Sequence, residues 1–287
     1  MMKPVTELKP PVIHSTIHPT AIISPSAKIG AGVSIGPFCT VGPDVELADG
    51  VTLVSHVVVD GHTVIGEGAT LWPFCSVGLA PQDLKYRGEP TRTEIGARTQ
   101  IREHCTIHRG TVTGTGLTKV GSDCLLMAVA HVAHDCEVGN NVIIANNVVM
   151  GGHVTIGDHA GIMGAAAIHQ FVRIGRCAWV GGVSGVERDV IPFGMVMGNR
   201  AWLAGLNIVG LKRRGYDRSE IHRLRAAFRI LYRDTSADDG VFQERVQRVA
   251  AEYGEDRLIT EMLAFIAAPS HRGLIRNGVR DDGAEPA

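Results

Sequence analysis

The sequence has few aromatic residues, 5% of the total, which excludes a bulky aromatic core. It lacks an excess of charge of either sign. The formal net charge is −1 at pH 7, so no global field argues for nucleic acid or a bare membrane surface. Long apolar runs are missing too. The most apolar stretch, GIMGAAAI from Gly161 to Ile168, is far short of the roughly 20 residues that span a bilayer. The first fifteen residues, MMKPVTELKPPVIHS, contain no apolar h-region, and the expectation is a cytoplasmic protein. There are six cysteines but no CxxC, so neither a zinc ribbon nor a thioredoxin motif is present. What the chain has instead is glycine, 35 residues of it, which points to many tight turns. Its 287 residues at 45% hydrophobic content are enough for one large domain or two ordinary ones.

Those turns are periodic. Aliphatic residues recur every six positions from Ile17 through Ile23, Ile29, Ile35, Val41, Leu47, Leu53, Val59, Ile65 and Leu71 to Val77. The series resumes at Ile95, Ile101 and Ile107, slips phase by one, and runs from Val120 to Val186. Two residues before each anchor stands a small residue, as at Ala21, Ala27, Val33 and Cys39. In an extended strand, positions two apart share a face, so each hexapeptide turns one aliphatic and one small side chain inward. Three hexapeptides make a triangular coil of about eighteen residues, and only stacked coils bury a core. Five cysteines (Cys39, Cys75, Cys105, Cys124 and Cys136) fall on the small inward position and read as core residues. GAGVSIG at Gly30–Gly36 is turn grammar, not a dinucleotide loop, because no helix pattern follows. The pattern resembles the left-handed parallel β-helix acyltransferases, and the left hand comes from that resemblance.

Two inserts interrupt the coils, at residues 78–94 and 109–119. Structureless segments beyond about a dozen residues are often functional. After Asn199 a helical grammar takes over. Asp217 and Glu220 read as a capping box, and Ile221, Leu224, Phe228 and Leu231 mark one helix face. Val246, Val249 and Tyr253 mark a second helix closed by Gly254; Leu258, Met262 and Ile266 mark a third, stopped by Pro269. The tail from Ser270 reads as frayed. The expected organisation is an extension at 1–16, an all-β left-handed parallel β-helix at 17–198, and a smaller α-helical C-terminal domain at 199–287. Lys212, Arg213, Arg214, Arg218, Arg223, Arg225, Arg229 and Arg233 stand against only Asp217 and Glu220 between Gly205 and Arg233. They form either a solvated face or a dock for a polyanion.

An eighteen-residue coil puts residues eighteen apart above one another, roughly 4.8 Å per step. His134, Gly152 and Gln170 form one column; Asp135, His153 and Phe171 form the next; Ala133, Gly151 and His169 form a third. None is at an inward position, so all are expected to face outward at one corner. Gly151 and Gly152 leave room beside His134 and an accessible N–H, which suits an oxyanion donor. HVAH at His131–His134 lies on extended chain, so it is not the helical zinc pair. A convex prism has no cleft of its own, so a pocket calls for a loop or a second copy.

In order along the chain, PQDLKYRGEPTR, IHRGT, GLTKVG, LLM, AHVAHDC, GGHVTIGD, IHQF, VGGVSGV and GLKRRG closely resemble the UDP-N-acetylglucosamine O-acyltransferase family. The resemblance runs from about Ile17 to Arg276. It implies transfer of an (R)-3-hydroxyacyl chain from acyl carrier protein to the sugar 3-hydroxyl in the first step of lipid A synthesis. It further implies a homotrimer with sites between subunits and no metal or cofactor, the donor being a thioester. On that resemblance His134 is the general base, Asp135 supports it, and the Gly152 N–H holds the oxyanion. Asp83, Lys85, His131, His153, His169 and Gln170 surround the sugar. Asn207, Arg213 and Arg214 take the nucleotide diphosphate, where forked arginine contacts suit phosphate. Gly182 lies where the acyl tail is expected, and a glycine there suits a longer chain. Val209 departs from the family's pattern, which has an acidic residue in that place. The 3-amino analogue of the sugar is an alternative acceptor. The γ-class carbonic anhydrases, which bind zinc through histidines on this fold, are the alternative class, with His131 as a ligand.

Overall fold

The computed structural model describes residues 16–232 and 241–277. Over these the hexapeptides wind into a left-handed parallel β-helix of three sheets, with nine, eight and ten strands. Most strands are two residues long, one residue out and one in. Pairing advances by eighteen, from Ile22 to Thr40 to Val58 and, further on, from His131 to Val149 to Ala167. The anchors Ile35, Leu53, Ile65, Ile101, Leu126, Ile144 and Ile162 are wholly buried, and so are small partners such as Val51, Cys105 and Ala166. All six cysteines are buried and free. This ladder is what stacking buries and no single coil could.

Tight corners have a conformational consequence. The second residue of many turns is left-handed whether or not it is glycine, as at Asp135 (φ 57°), His153 (φ 61°) and Phe171 (φ 65°). An L-residue there is strained by about 1 kcal/mol, which the surrounding ladder over-determines. Its N–H takes the turn carbonyl of the coil below: His153 N–H donates to His134 and Phe171 N–H to Gly152.

Two steps exceed eighteen. Ser76 pairs with Thr106, thirty residues on, and Thr106 with His131, twenty-five on. The extra chain lies at residues 80–91 and 109–116, since the flanks Ser76–Leu79, Arg92–Ile95 and Leu117–Val120 are strand. Both loops leave between the nine-stranded and eight-stranded sheets. That is the same corner that carries His134, Gly152 and Gln170 in the coils above.

Beyond the coils, strands Gly194–Met197 and Trp202–Leu206 pair antiparallel. Helical structure begins only after this hairpin. Four helices follow among the described residues: α1 (Ile208–Arg213), α2 (Arg218–Tyr232), α3 (Phe242–Tyr253) and α4 (Arg257–Ala267). Half of the expected capping box forms, with the Glu220 carboxylate accepting from the Asp217 N–H at 3.2 Å. Arg173 fixes α4 to the coils: it meets buried Asp189 at 2.7 Å and stacks over Phe265 at 4.4 Å. Arg176 does the same through both oxygens of Glu261.

The expectation of a frayed tail from Ser270 is corrected. The Ser270 hydroxyl accepts from the N–H groups of Arg272 and Gly273 and turns the chain back. Leu274 then bridges to Asp189 and Asn277 to Leu203, with Ile275 buried. Residues 1–15, 233–240 (Arg233 among them) and the last ten residues lie outside the described structure.

Candidate active site

Register delivers a histidine corner. His134 leaves the turn after strand His131–Val132, and its side chain is 18% exposed. Its Nδ1 lies 2.8 Å from Asp135 Oδ2. A carboxylate only accepts, so Nδ1 carries the proton and Nε2 is left as the basic nitrogen. Gly152 sits directly above: a Cβ there would stand 2.5 Å from His134 Cε1, so only glycine lets the ring lie flat against that turn. The Gly152 N–H meets no acceptor among the described residues. The His153 ring crosses His134 edge-on at 5.1 Å, and its Nε2 is 4.0 Å from Asp135 Oδ2.

Asp135 corrects the sequence expectation. It does not face outward; its side chain is wholly buried. The coil below has loop 109–116 in place of a turn, and that loop covers the corner. Burial alone would raise the Asp135 carboxyl. Hydrogen bonds from Thr111 and His134 and the nearby His153 outweigh it and hold the group below the ordinary carboxylate range.

His131 shares a 2.7 Å hydrogen bond with Thr106 Oγ1 through Nδ1 and meets the His108 ring edge-on at 5.0 Å. His108 is a corner residue that sequence reasoning missed. The signal available was its place in IHRGT, one coil below His131. Burial, then the neighbouring His131 and His134, push His108 down to about 4. Burial also lowers His131, with His134 adding to it. For His153 burial is again the main cause of lowering, while Asp135 and Asp83 oppose it. Asp83 stands on the first loop, where it accepts the Lys85 N–H at 3.0 Å. Lys85, His169 and Gln170 are exposed. His271, from the tail, packs tilted against Phe171 at 5.1 Å and finishes the column.

His134, Asp135 and His153 have ligand atoms within 4.8 Å of one another. The zinc alternative rested on His131, which lies outside this trio. Asp135 already accepts hydrogen bonds at both oxygens, so the trio offers an ion two imidazoles and no free carboxylate.

The remaining sequence candidates sit elsewhere on the chain. A cavity of about 820 Å³ lies between the ten-stranded sheet and α1, lined by His159, Trp179, Asn207, Val209, Arg213 and Arg214. Arg214 reaches the His159 carbonyl at 3.0 Å. Asn207 caps α1 by accepting from the Gly210 N–H at 3.0 Å and donates to the Cys177 carbonyl at 2.9 Å. Val209 is exposed at the cavity wall, so the cavity offers an apolar methyl pair there. In a three-sided prism the ten-stranded sheet is the face opposite the His134 corner. Gly182 lies on the corner between the ten-stranded and nine-stranded sheets, against the Gly164 carbonyl. One chain thus brings His131, His134, Asp135, Gly152 and His153 together, with Asp83 on the first loop, and leaves Gly182, Asn207, Arg213 and Arg214 apart from them.

A hexapeptide coil with a buried histidine–carboxylate pair and a glycine N–H beside it defines a hexapeptide-repeat transferase. The family model for bacterial transferase hexapeptide repeats matches residues 26–61 and 117–152, and that for UDP N-acetylglucosamine O-acyltransferase domain 2 matches residues 189–275. Three solved structures are similar to most of the chain. A UDP-N-acetylglucosamine acyltransferase shares 40% identity (TM-score 0.87), covering 92% of this chain and 100% of its own. The UDP-N-acetylglucosamine O-acyltransferase of Moraxella catarrhalis shares 41% (TM-score 0.83; 91% and 99%). That of Bacteroides fragilis shares 36% (TM-score 0.86; 91% and 100%). The chain belongs to the UDP-N-acetylglucosamine acyltransferase family.

Proposed function

We propose that this chain moves an (R)-3-hydroxyacyl group from acyl carrier protein to the 3-hydroxyl of UDP-N-acetylglucosamine, the first step of lipid A synthesis. The observation that carries this reading is the His134–Asp135 pair seated against Gly152. His134 Nε2 removes the hydroxyl proton while Asp135 holds the imidazolium that forms. The sugar oxygen attacks the thioester carbonyl, and the resulting oxyanion meets the Gly152 N–H. Collapse expels the thiolate, which takes the proton back from His134. Asp83, His131, His153 and Gln170 contact the sugar, with Lys85 and His169 at its edge.

The diphosphate is held by Arg213 and Arg214 with Asn207 beside them, and the acyl tail runs towards Gly182. These groups lie on a different face or corner from His134, so one substrate reaches both only if neighbouring copies share it. That argues for a homotrimer with sites between subunits, as a heterologous ring. Exposed Lys212, Arg218, Arg225 and Arg229 suit an acidic carrier protein, and the proposed place of the reaction is the cytoplasm. No described helix is long and apolar enough to cross a membrane.

The test is an acyl transfer assay offering hydroxyacyl carrier proteins of several lengths against UDP-N-acetylglucosamine and its 3-amino analogue. His134→Ala should lower turnover about 10²-fold or more. Near-normal turnover would remove His134 as the base.

A further inference from the structure

Loop 109–116 is built around a side chain that belongs to the next coil. Asp135 Oδ1 accepts from the Thr115 N–H at 2.9 Å and the Gly116 N–H at 3.1 Å, while the Thr115 hydroxyl donates to the Leu117 carbonyl at 2.9 Å. The Thr111 N–H is 3.1 Å from both oxygens. Oδ2 accepts the Thr111 hydroxyl at 2.6 Å, beside His134 Nδ1 at 2.8 Å. Gly114 closes the cage: a Cβ there would stand 2.4 Å from the carboxyl carbon. Even the Asp135 N–H is taken by a side chain, Thr118 Oγ1, at 2.8 Å. A solvated surface loop satisfies its donors with water or its own carbonyls. Here three N–H groups and the Thr111 hydroxyl converge on one buried carboxylate.

We infer that loop 109–116 is a positioning device for the reaction, and that the Thr111 hydroxyl, by sharing Asp135 Oδ2 with His134, sets how strongly that carboxylate holds the imidazole proton. Thr111 is a positioning residue; it acts through Asp135. A short hydrogen bond to an anion draws charge from it. With the Thr111 hydroxyl gone, Oδ2 turns its full basicity on His134 Nδ1–H, the imidazolium is favoured, and the base is occupied at higher pH. The other titratable groups at this corner are His108 and His131 from the strands, His153 from the turn above, Asp83 from the first loop and His271 from the tail. The loop's own charge, Arg109, faces Asp60 at 3.5 Å. Replacing the Thr111 hydroxyl therefore changes the cage and leaves those charges in place.

The inference rests on His134 being the base, so the experiment carries two readouts. The first is the pH dependence of kcat/KM for wild type, Thr111→Val, Thr111→Ser and His134→Ala. The acid limb of Thr111→Val should move up by about 0.5 to 1 unit, and Thr111→Ser should restore it. The second is the titration of the His134 ring by NMR without substrate, which should move the same way. If His134→Ala stays active but the ring midpoint still moves, the base assignment fails and the coupling stands. A lowered rate with limb and midpoint both unmoved overturns the inference and leaves the loop a structural plug. If Thr111→Val does not fold, Thr111→Ala decides: a limb and midpoint moved the same way support the inference, and neither moved overturns it.

Discussion

The corner concentrates histidines that are held neutral, and this has a measurable consequence for stability. His108 is 6% exposed and sits at about 4 in the folded chain, against an ordinary 6.5. The unfolded chain therefore takes up a proton that the folded chain refuses. Stability is whole above 6.5 and declines as pH falls towards about 4, below which the loss levels off, with His108 accounting for up to about 3 kcal/mol. His131 and His153, lowered by burial in the same direction, steepen the decline. Asp135 works at lower pH: its lowered carboxyl stabilises above the ordinary 3.8 and loses that contribution as pH falls through its folded value. The window between 4 and 6.5 thus belongs to the histidines. His108→Asn should flatten the pH dependence of Tm there, as measured by scanning calorimetry. An unchanged slope would show that His108 opens to solvent or charges without unfolding. His134, Asp135 and Gly152 were legible from the sequence because eighteen-residue register alone brings them together. The burial of Asp135 was not, because it depends on how an aperiodic loop, GTVTGTG, folds over it.

Among the elements, the coils were the most legible, since each hexapeptide repeats one local rule eleven times before the first interruption. Helices α2, α3 and α4 followed from apolar spacing at 3.6 residues. The hairpin Gly194–Met197 with Trp202–Leu206 and the returning tail did not, because their pairings (Met197 with Trp202, Asp189 with Leu274) leave no local period. The returning tail is fastened at Asp189 and touches the hairpin at Leu203. The Asp189 carboxylate is wholly buried, accepts the Arg173 N–H at 2.8 Å and Nε at 2.7 Å, and its backbone pairs with the tail. Asp189→Asn places an amide N–H against a donor and strips the charge facing Arg173. The expected loss is about 2 to 3 kcal/mol, because one partner of a buried pair is left uncompensated. Urea unfolding followed by circular dichroism measures it. The exposed pair Lys28–Glu46 is the control, and Lys28→Ala should shift the midpoint far less. Equal shifts would mean that Asp189 is not the clamp joining tail, α4 and coil.

At the scale of the whole molecule, the three-sided prism separates two groups of residues that the proposed reaction assigns to one substrate. The histidine corner lies between the nine-stranded and eight-stranded sheets, and the arginine-lined cavity lies on the ten-stranded sheet opposite. The cavity is completed by α1, so on the proposed reading the helical part takes part in binding. A ring of copies resolves the separation if each corner faces the cavity of its neighbour. This makes the two halves genetically separable. His134→Ala spoils the corner and Arg213→Ala spoils the cavity, and each variant alone should be nearly inactive. Refolded together in equal amounts, a chain with a good corner meets a neighbour with a good cavity at about a quarter of the sites. The mixture should therefore recover about a quarter of wild-type transfer, whereas variants mixed without unfolding should recover none until subunits exchange. If refolded mixtures stay as inactive as the single variants, corner and cavity act within one chain, or Arg213 serves something other than this substrate. A titration of UDP against the Arg213→Ala chain separates those two outcomes. Retained binding excludes Arg213 from the nucleotide site, and lost binding leaves only the split between copies in error.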